Sequence, residues 1–489
     1  MTPRISSFAT LRTDLSSSLI VFLVALPLCV GVAVASGAPA ELGLITGIVG
    51  GLVTGLLPGS SLQVSGPAAG LTVLVFTAVR DFGLSALGVI VLAAGLLQLA
   101  LGALRLGRLF RAISLSVVHG MLAGIGLVLI AGQLYALADR KAPGSGTSNI
   151  AGLPDLVADV VGSGPALTAV GVGAGTVTIM TLWKKLPPKA QMLPGPLVAV
   201  GAAMLAAFAF DLPVTRIEVN GLMASIQPPG LDAFEKLAEV AMLTTIVAFT
   251  LIASAESLFS AAAVDRMHAG PKTDYDKELM AQGAGNTVCG LLGALPMTAV
   301  IVRSAANVQA GARTKLSRVL HGVWLLMFAA LLPHLLDLIP TAALAGVLIH
   351  SGLKLLPHKE LGPLWRDHRG EAVVLVVTAG AILLTNMFEG VLIGLLLSVV
   401  KTAWETSRVQ IEVDDAGTGP VQVRILGHAT FLRLPRILET LEQLPAHRPT
   451  ELNLTGLLHL DHACMSALQN WADQHNARTI HPELSPASV

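Results

Sequence analysis

Apolar stretches approaching twenty residues recur along the first four hundred positions of this 489-residue chain; Leu19–Val34, Ala86–Leu104, Ala123–Ala138 and Ala372–Leu384 are examples. About twenty apolar residues suffice to carry a helix across a bilayer, so these stretches read as membrane spans. Only 13% of the residues are charged and 53% are hydrophobic. A soluble chain of this length would carry about twice that charge. The 49 glycines fit helices that pack closely in lipid. The composition therefore predicts an all-α multispanning membrane protein.

Fourteen segments can be marked out, at about 15–36, 43–58, 66–80, 84–105, 112–138, 165–183, 194–210, 237–264, 277–294, 297–311, 316–333, 340–353, 371–387 and 389–404. With the N-terminus inside, eighteen Lys and Arg fall in inside loops, among them Arg4, Arg111, Lys184, Lys189 and Arg318. Five fall outside: Arg80, Arg140, Lys141, Arg216 and Lys236. That bias obeys the positive-inside rule and puts both termini in the cytoplasm of a plasma or inner membrane. Seven segments precede the polar loop at 211–236 and seven follow it. An odd count makes the second copy enter from the opposite face, so repeats at about 12–210 and 235–404 are expected to be inverted. Glu41-Leu42 before Gly55-Leu56-Leu57 is echoed by Glu278-Leu279 before Gly290-Leu291-Leu292.

The third and tenth segments then correspond, and both are interrupted. Gly66-Pro67-Ala68-Ala69-Gly70 and Pro296-Met297-Thr298-Ala299-Val300-Ile301-Val302-Arg303 each open a small, apolar run of about ten residues. Proline starts helices well and continues them badly. Two half-helices meeting end to end aim unpaired N–H groups and positive dipole ends into one cavity, which favours an anion. The N–H groups near Pro67–Ala69 and near Ile301–Arg303 should face each other, with hydroxyls available from Ser65, Thr298 and Ser304. A plain kink at Gly66-Pro67 in a packed helix is the alternative.

Beyond about residue 405 the pattern changes. Val409–Val413 and Val421–Leu426 alternate like strands, Leu434–Leu444 looks helical, Glu451–Leu454 resembles a short strand, and Cys464–His475 an amphipathic helix. This predicts a transmembrane domain over 1–404 and a small cytoplasmic α/β domain over 405–489, with a disordered tail at 482–489. No cleavable signal stands at the N-terminus. Cys29, Cys289 and Cys464 lack motif spacing, and no metal site, cofactor or Walker loop is indicated. His459, His462 and His475 form no trusted ligand spacing. A net charge of zero argues against nucleic acid.

Several motifs resemble the SulP sulfate-permease family, whose animal members include pendrin and prestin. Ala25-Leu26-Pro27-Leu28 followed by Ala38-Pro39-Ala40-Glu41-Leu42-Gly43-Leu44 is similar to the family's first-helix pattern. Gln63-Val64-Ser65-Gly66-Pro67 is similar to its approach to helix 3. Arg303-Ser304-Ala305-Ala306-Asn307-Val308-Gln309-Ala310-Gly311-Ala312-Arg313-Thr314 closely resembles its helix-10 signature. Leu452-Asn453-Leu454-Thr455-Gly456 and Leu460-Asp461-His462 resemble a STAS domain. The resemblance implies a seven-plus-seven inverted repeat with core and gate domains, a homodimer, and a branch near bacterial proton-coupled dicarboxylate (fumarate) carriers. Switchable STAS domains carry Ser or Thr after the Asp; His462 stands there, so docking or dimerisation is expected rather than phosphoryl switching.

The expected substrate site comprises Leu28, Cys29 and Val32 of the first helix with Gly66, Pro67, Ala68, Ala69, Ile301, Val302 and Arg303. Arg303 is an arginine deep in an apolar helix, where charge is costly and usually functional. It either lends positive potential to the pocket, pairs with Glu256, or snorkels to the cytoplasmic edge. Glu256 lies mid-span and is the first candidate for proton coupling; Glu41 is the second. Ser260, one turn on from Glu256, keeps sodium in play. His119, His321 and His350 adjoin spans and are either relays or ordinary interfacial residues. The expected activity is proton-driven symport of a small anion by alternating access, with fumarate, bicarbonate or sulfate as substrate, lipid as solvent and no enzymatic chemistry. Sodium-coupled uptake and a passive anion channel are the alternatives.

Overall fold

The computed structural model describes residues 8–108, 114–183, 185–187, 193–219, 221–445, 448–475 and 477–480. Arg4, Arg111, Lys184, Lys189 and the tail at 482–489 lie outside the described residues. The chain divides into two compact units, one ending at Leu395 and the other beginning at Leu396.

In the first unit the long apolar runs become helices: α1 (Phe8–Ala35), α4 (Leu84–Ala103), α5 (Leu115–Leu137), α8 (Gly164–Trp183) and α11 (Val240–Met267), each long and apolar enough to cross a membrane. α18 (Met387–Thr406) also qualifies and passes from the first unit into the second. Shorter helices complete the set: α2 (Ala40–Val49), α3 (Thr72–Phe82), α9 (Gly195–Ala209), α12 (Tyr275–Leu291), α13 (Ile301–Gln309), α14 (Leu316–Leu331), α15 (Thr341–Leu355) and α17 (Arg369–Leu384). Each of the fourteen expected segments therefore has its element. The loops also hold short helices that the apolar pattern did not reveal: α6 (Gly146–Ala151), α7 (Leu153–Gly162), α10 (Leu231–Glu235) and α16 (Leu361–Asp367).

The helical starts expected at 66 and 297 are corrected. Ser65–Pro67 is strand β1 and Met297–Ala299 is strand β2, and helix begins only at Ala69 and Ile301. The two strands pair antiparallel, Gly66 opposite Thr298. Lipid offers backbone groups no water, so a non-helical stretch at this depth must find partners within the protein. The ladder supplies some of them. Space for it comes from α2, whose continuation Gly50–Thr54 is a π-turn. A Cβ at Gly50 would lie 2.5 Å from the Ser65 carbonyl oxygen. Glycine at that position lets the strand approach the helix.

Packing partners recur between the two halves. α4 packs on α11 and α12, as α14 packs on α1 and α2; α5 packs on α17, as α15 packs on α8; and α5 packs on α15. These are the relations of a seven-plus-seven repeat. The symmetry breaks at one place. α1 lies against α15 and α9, whereas among the described residues α11 makes no comparable contact with α5 or α18. A side chain at Gly31, near the end of α1, would meet Leu344 and Leu348 of α15 at 3.4–3.7 Å.

The second unit is a small α/β domain. Its strands are β3 (Val409–Asp414), β4 (Val421–Ala429), β5 (Thr450–Asn453), β6 (Leu457–Leu460) and β7 (Arg478–Ile480). β3 is antiparallel to β4, and the other pairings are parallel. Helices α19 (Leu434–Glu442) and α20 (His462–Gln474) contribute Ile437, Leu441, Leu468 and Trp471 to its core, against Val421, Val423, Ile425 and Leu452. The sequence pattern predicted three strands; β6 and β7 are additions. This sheet is consistent with the STAS resemblance.

Candidate functional site

Polar side chains from the surrounding helices hold the strand crossing. Asn286 of α12 brackets Met297: its Oδ1 accepts the Met297 N–H at 2.7 Å and its Nδ2 donates to the Met297 carbonyl at 3.0 Å. Nδ2 also donates to Gln98 Oε1 at 2.8 Å, and Gln98 Nε2 donates to Ser254 Oγ at 3.2 Å. From α11, Ser257 Oγ accepts the Ala299 N–H at 3.2 Å and Ser260 Oγ donates to the Ala299 carbonyl at 2.8 Å. Ser304 Oγ accepts the Val64 N–H at 2.9 Å, and Gln282 Nε2 donates to Ser65 Oγ at 2.7 Å. These side chains give the backbone of the crossing the partners that a low-dielectric interior demands.

Another buried side chain secures the approach to β1. Arg318, assigned to an inside loop by sequence, is buried in α14. Its guanidinium donates to the carbonyls of Gly55 at 3.1 Å, Leu57 at 3.0 Å and Gln63 at 3.4 Å. These contacts tie the end of the second span to the segment that delivers Ser65.

The two half-helices begin beside this crossing. Neither α3 nor α13 has a side-chain cap, and both start in the buried centre of the unit. The first N–H groups of a helix lack intrahelical partners and carry its positive dipole end. A cavity of about 80 Å³ lies against them. One wall is Leu28, Val32, Pro67, Ala69, Gly70, Glu256, Phe259, Ser260 and Val300 to Arg303; the other is Val118, Met121, Leu122 and Ile125 of α5 with Ser351 and Leu355 of α15. The cavity thus sits between the helices that hold the crossing and the α5–α15 pair, near the start of α5 and the end of α15.

The expected site residues divide accordingly. Leu28, Val32, Pro67, Ala69, Ile301, Val302, Arg303 and Glu256 line one cavity. Gly66 and Ala68 contribute buried backbone behind it. Cys29 does not line it: the thiol is fully buried, 2.8 Å from where a Gly47 side chain would begin, so the residue packs α1 on α2. Glu41, buried in the first turn of α2, also does not line it.

Arg303 is fully buried and forms no ion pair with Glu256 among the described residues. It donates from Nη2 to the Pro67 carbonyl at 3.3 Å, while Nε and Nη1 have no hydrogen-bond partner. A side chain at Gly66 would collide with Nη1. The guanidinium neither snorkels nor pairs; it stands at the cavity with two donor nitrogens uncommitted. Glu256 interacts with the Thr298 hydroxyl, and its Oε2 has no hydrogen-bond partner. Both carboxylate oxygens lie 2.8 Å from where a Gly70 Cβ would stand. The carboxylate therefore rests against the turn that starts α3. Among the histidines, His119 meets Glu360 at 3.3 Å, and His321 is buried with neither ring nitrogen hydrogen-bonded. His475 stacks on Trp471. Among the described residues no group of His, Cys, Asp and Glu could hold a metal ion.

An uncapped pair of half-helices meeting at a buried, arginine-bearing cavity defines a multi-pass membrane carrier for anions. A family model described as the sulfate permease family matches residues 11–378, and the chain belongs to that family. It is similar to a putative sulfate transporter, YvdB, of Bacillus subtilis (strain 168), 27% identical over 395 residues, with 80% of this chain and 73% of that protein covered. It is 26% identical over 422 residues to the bicarbonate transporter BicA of Picosynechococcus sp., covering 83% and 72%. Among solved structures, the transmembrane domain of a cyanobacterium bicarbonate transporter BicA matches with a TM-score of 0.67 at 24% identity, covering 81% of this chain and 98% of that one. The overall structure of SLC26A9 matches with a TM-score of 0.80 at 14% identity, covering 98% and 86%. At these identities the structures show the fold alone.

Proposed function

We propose that this protein moves a small organic anion, of the dicarboxylate class to which fumarate belongs, together with protons, by alternating access. The observation that carries this reading is the position of Glu256 against Gly70, at the positive end of α3 and in the same cavity as Arg303. An ionised Glu256 competes with an incoming anion for that positive end. At a separation of about 5 Å and an effective dielectric constant of about 20, two like charges repel by about 3 kcal/mol, or about a hundredfold in affinity. Protonation removes the repulsion. Anion and proton therefore promote each other's binding, which is the linkage a symporter requires. The apolar wall from Leu28, Val32 and α5 suits an organic anion better than a strongly hydrated one.

The Lys and Arg bias supports placing both termini in the cytoplasm. The cavity then faces inward, since it lies near the start of α5 and the end of α15, while the end of α1 is packed on α15. Swinging the crossing helices against the α5–α15 pair would exchange these contacts and present the site to the other face. The homodimer implied by the resemblance belongs to the same reading.

A second reading is sodium-coupled bicarbonate uptake. The observation favouring it is Ser260, whose hydroxyl hydrogen goes to the Ala299 carbonyl, leaving its lone pairs free one turn from Glu256. The relatives named as bicarbonate transporters support the same alternative. An uptake screen in proteoliposomes over fumarate, succinate, bicarbonate and sulfate, under imposed proton or sodium gradients, separates the two. Proton-driven uptake of a dicarboxylate is expected; sodium-driven bicarbonate uptake with no response to a proton gradient would overturn the first reading.

A further inference from the structure

The second unit contains a recess of its own. It has a volume of about 440 Å³ and is lined by Arg408, Val409, Gln410, Leu426, Gly427, Arg433 and Arg436. Three guanidinium groups border it and no carboxylate does. Arg433 is committed to the fold: Nε donates to the Ser407 carbonyl at 2.7 Å, Nη2 to the Trp404 carbonyl at 3.3 Å, and its guanidinium carbon lies 4.1 Å from the centre of the Trp404 ring. Arg408 and Arg436 are exposed, and their side chains make no hydrogen bond or ion pair among the described residues. α19 starts beside the recess without a side-chain cap, which adds a positive helix end.

Chain position sets the surroundings. Arg408 stands two residues beyond the end of α18, a helix apolar enough to span the membrane, and Trp404 lies in its last turn, half exposed. Tryptophan at such a place belongs to the headgroup level. Lys401, one turn earlier, is paired with Glu405 at 2.8 Å, so the cations at the recess are its three arginines. Arginine presents a planar fork that matches phosphate oxygens, and basic side chains close to a membrane surface attract anionic headgroups.

We propose that this recess binds a phosphate ester, with Arg408 and Arg436 closing on its oxygens and Arg433 fixed between them by Trp404. A lipid headgroup and a soluble phosphate ester share this chemistry, and the two are separable by experiment. The full-length protein is reconstituted in nanodiscs of phosphatidylcholine with about a tenth phosphatidic acid, then released and weighed intact with its retained lipid. Separately, glycerol phosphate is titrated calorimetrically into delipidated protein. The variant is R408Q/R436Q, which leaves the Arg433 contacts in place, and its unchanged elution and anion uptake verify the fold. Selective retention of phosphatidic acid, reduced about tenfold in the variant, assigns the site to lipid, since each basic side chain near a membrane surface contributes substantially to such binding. Binding of glycerol phosphate without lipid retention, again lost in the variant, assigns it to a soluble ester. Retention equal to that of phosphatidylcholine with no glycerol phosphate binding, or any binding unaltered in the variant, overturns the proposal.

Discussion

Gly70 and Glu256 occupy complementary space: a methyl group on the first would stand 2.8 Å from both carboxylate oxygens of the second. The missing side chain lets an acid on α11 reach the turn that begins α3. Contact at 2.8 Å obliges something to move, and the far end of a glutamate is the part free to do so. The G70A protein is therefore expected to fold, with an apparent melting temperature in detergent close to that of the unmodified protein. Its Glu256 is displaced from the helix end, so anion uptake should lose most of its dependence on a proton gradient and fall by about tenfold, the scale of an interaction between partly buried charges. Uptake with unaltered pH dependence would place the coupling elsewhere.

Arg303 should be tested by two routes with the same outcome. R303A removes the buried cation and is expected to weaken anion binding by tenfold or more, on the scale of a charge-assisted hydrogen bond. R303K keeps the charge but loses the fork that reaches Pro67, and should recover only part of the affinity. G66A leaves the arginine intact yet intrudes on Nη1, so its binding should resemble that of R303A. Equilibrium binding of radiolabelled anion to purified protein measures all three; normal affinity in G66A would separate the guanidinium from the site.

The Asn286 bracket predicts a stability defect. N286A strands the Met297 N–H and carbonyl in the interior, at about 1–3 kcal/mol for each unsatisfied group. The apparent melting temperature should fall by several degrees. N286D keeps an acceptor for the N–H and loses the donor, so it should lie between the two. A full-strength melting transition in N286A would show that the strand crossing is held by other contacts.

Asp461 gives the second unit a pH response. Burial pushes its carboxyl upward, but N–H groups from Cys464 at 2.8 Å and Phe431 at 2.5 Å outweigh this and hold it below the usual carboxylate range. A carboxyl held low in the folded state stabilises that state above its ordinary value of about 4, and the contribution is lost as pH falls through the lower folded value. Loss of an N-cap costs about 1 kcal/mol. Amide exchange across α20 in the full-length protein should be about fivefold faster in D461A at neutral pH. Below about pH 4 the unmodified protein should approach the variant; a constant ratio across the range would remove Asp461 from the account.

Much of this architecture was legible in the sequence. The fourteen segments follow from run length, and the two breaks from short apolar runs that open on proline. Leu28, Val32, Pro67, Ala69, Ile301 to Arg303 and Glu256 share one cavity because they lie on the segments those breaks identify. The β1–β2 pairing was not legible, since three-residue strands carry no alternation and their partners are 230 or more positions apart. Arg318 resembled one more loop cation, and only the fold shows it bonded to three carbonyls. That the Cys29 thiol turns toward α2 was not legible, because the side of a helix that faces a cavity is set by its neighbours, here Gly43 and Gly47.

The central claim is that anion and proton share the cavity through Glu256. Proteoliposomes loaded with a pH-sensitive dye test it directly when substrate anion is added outside at equal initial pH, with no sodium present. The account predicts a substrate-dependent acidification inside that is abolished in E256Q while anion binding persists. Anion entry with no accompanying proton movement in the unmodified protein, or acidification unchanged in E256Q, would contradict it.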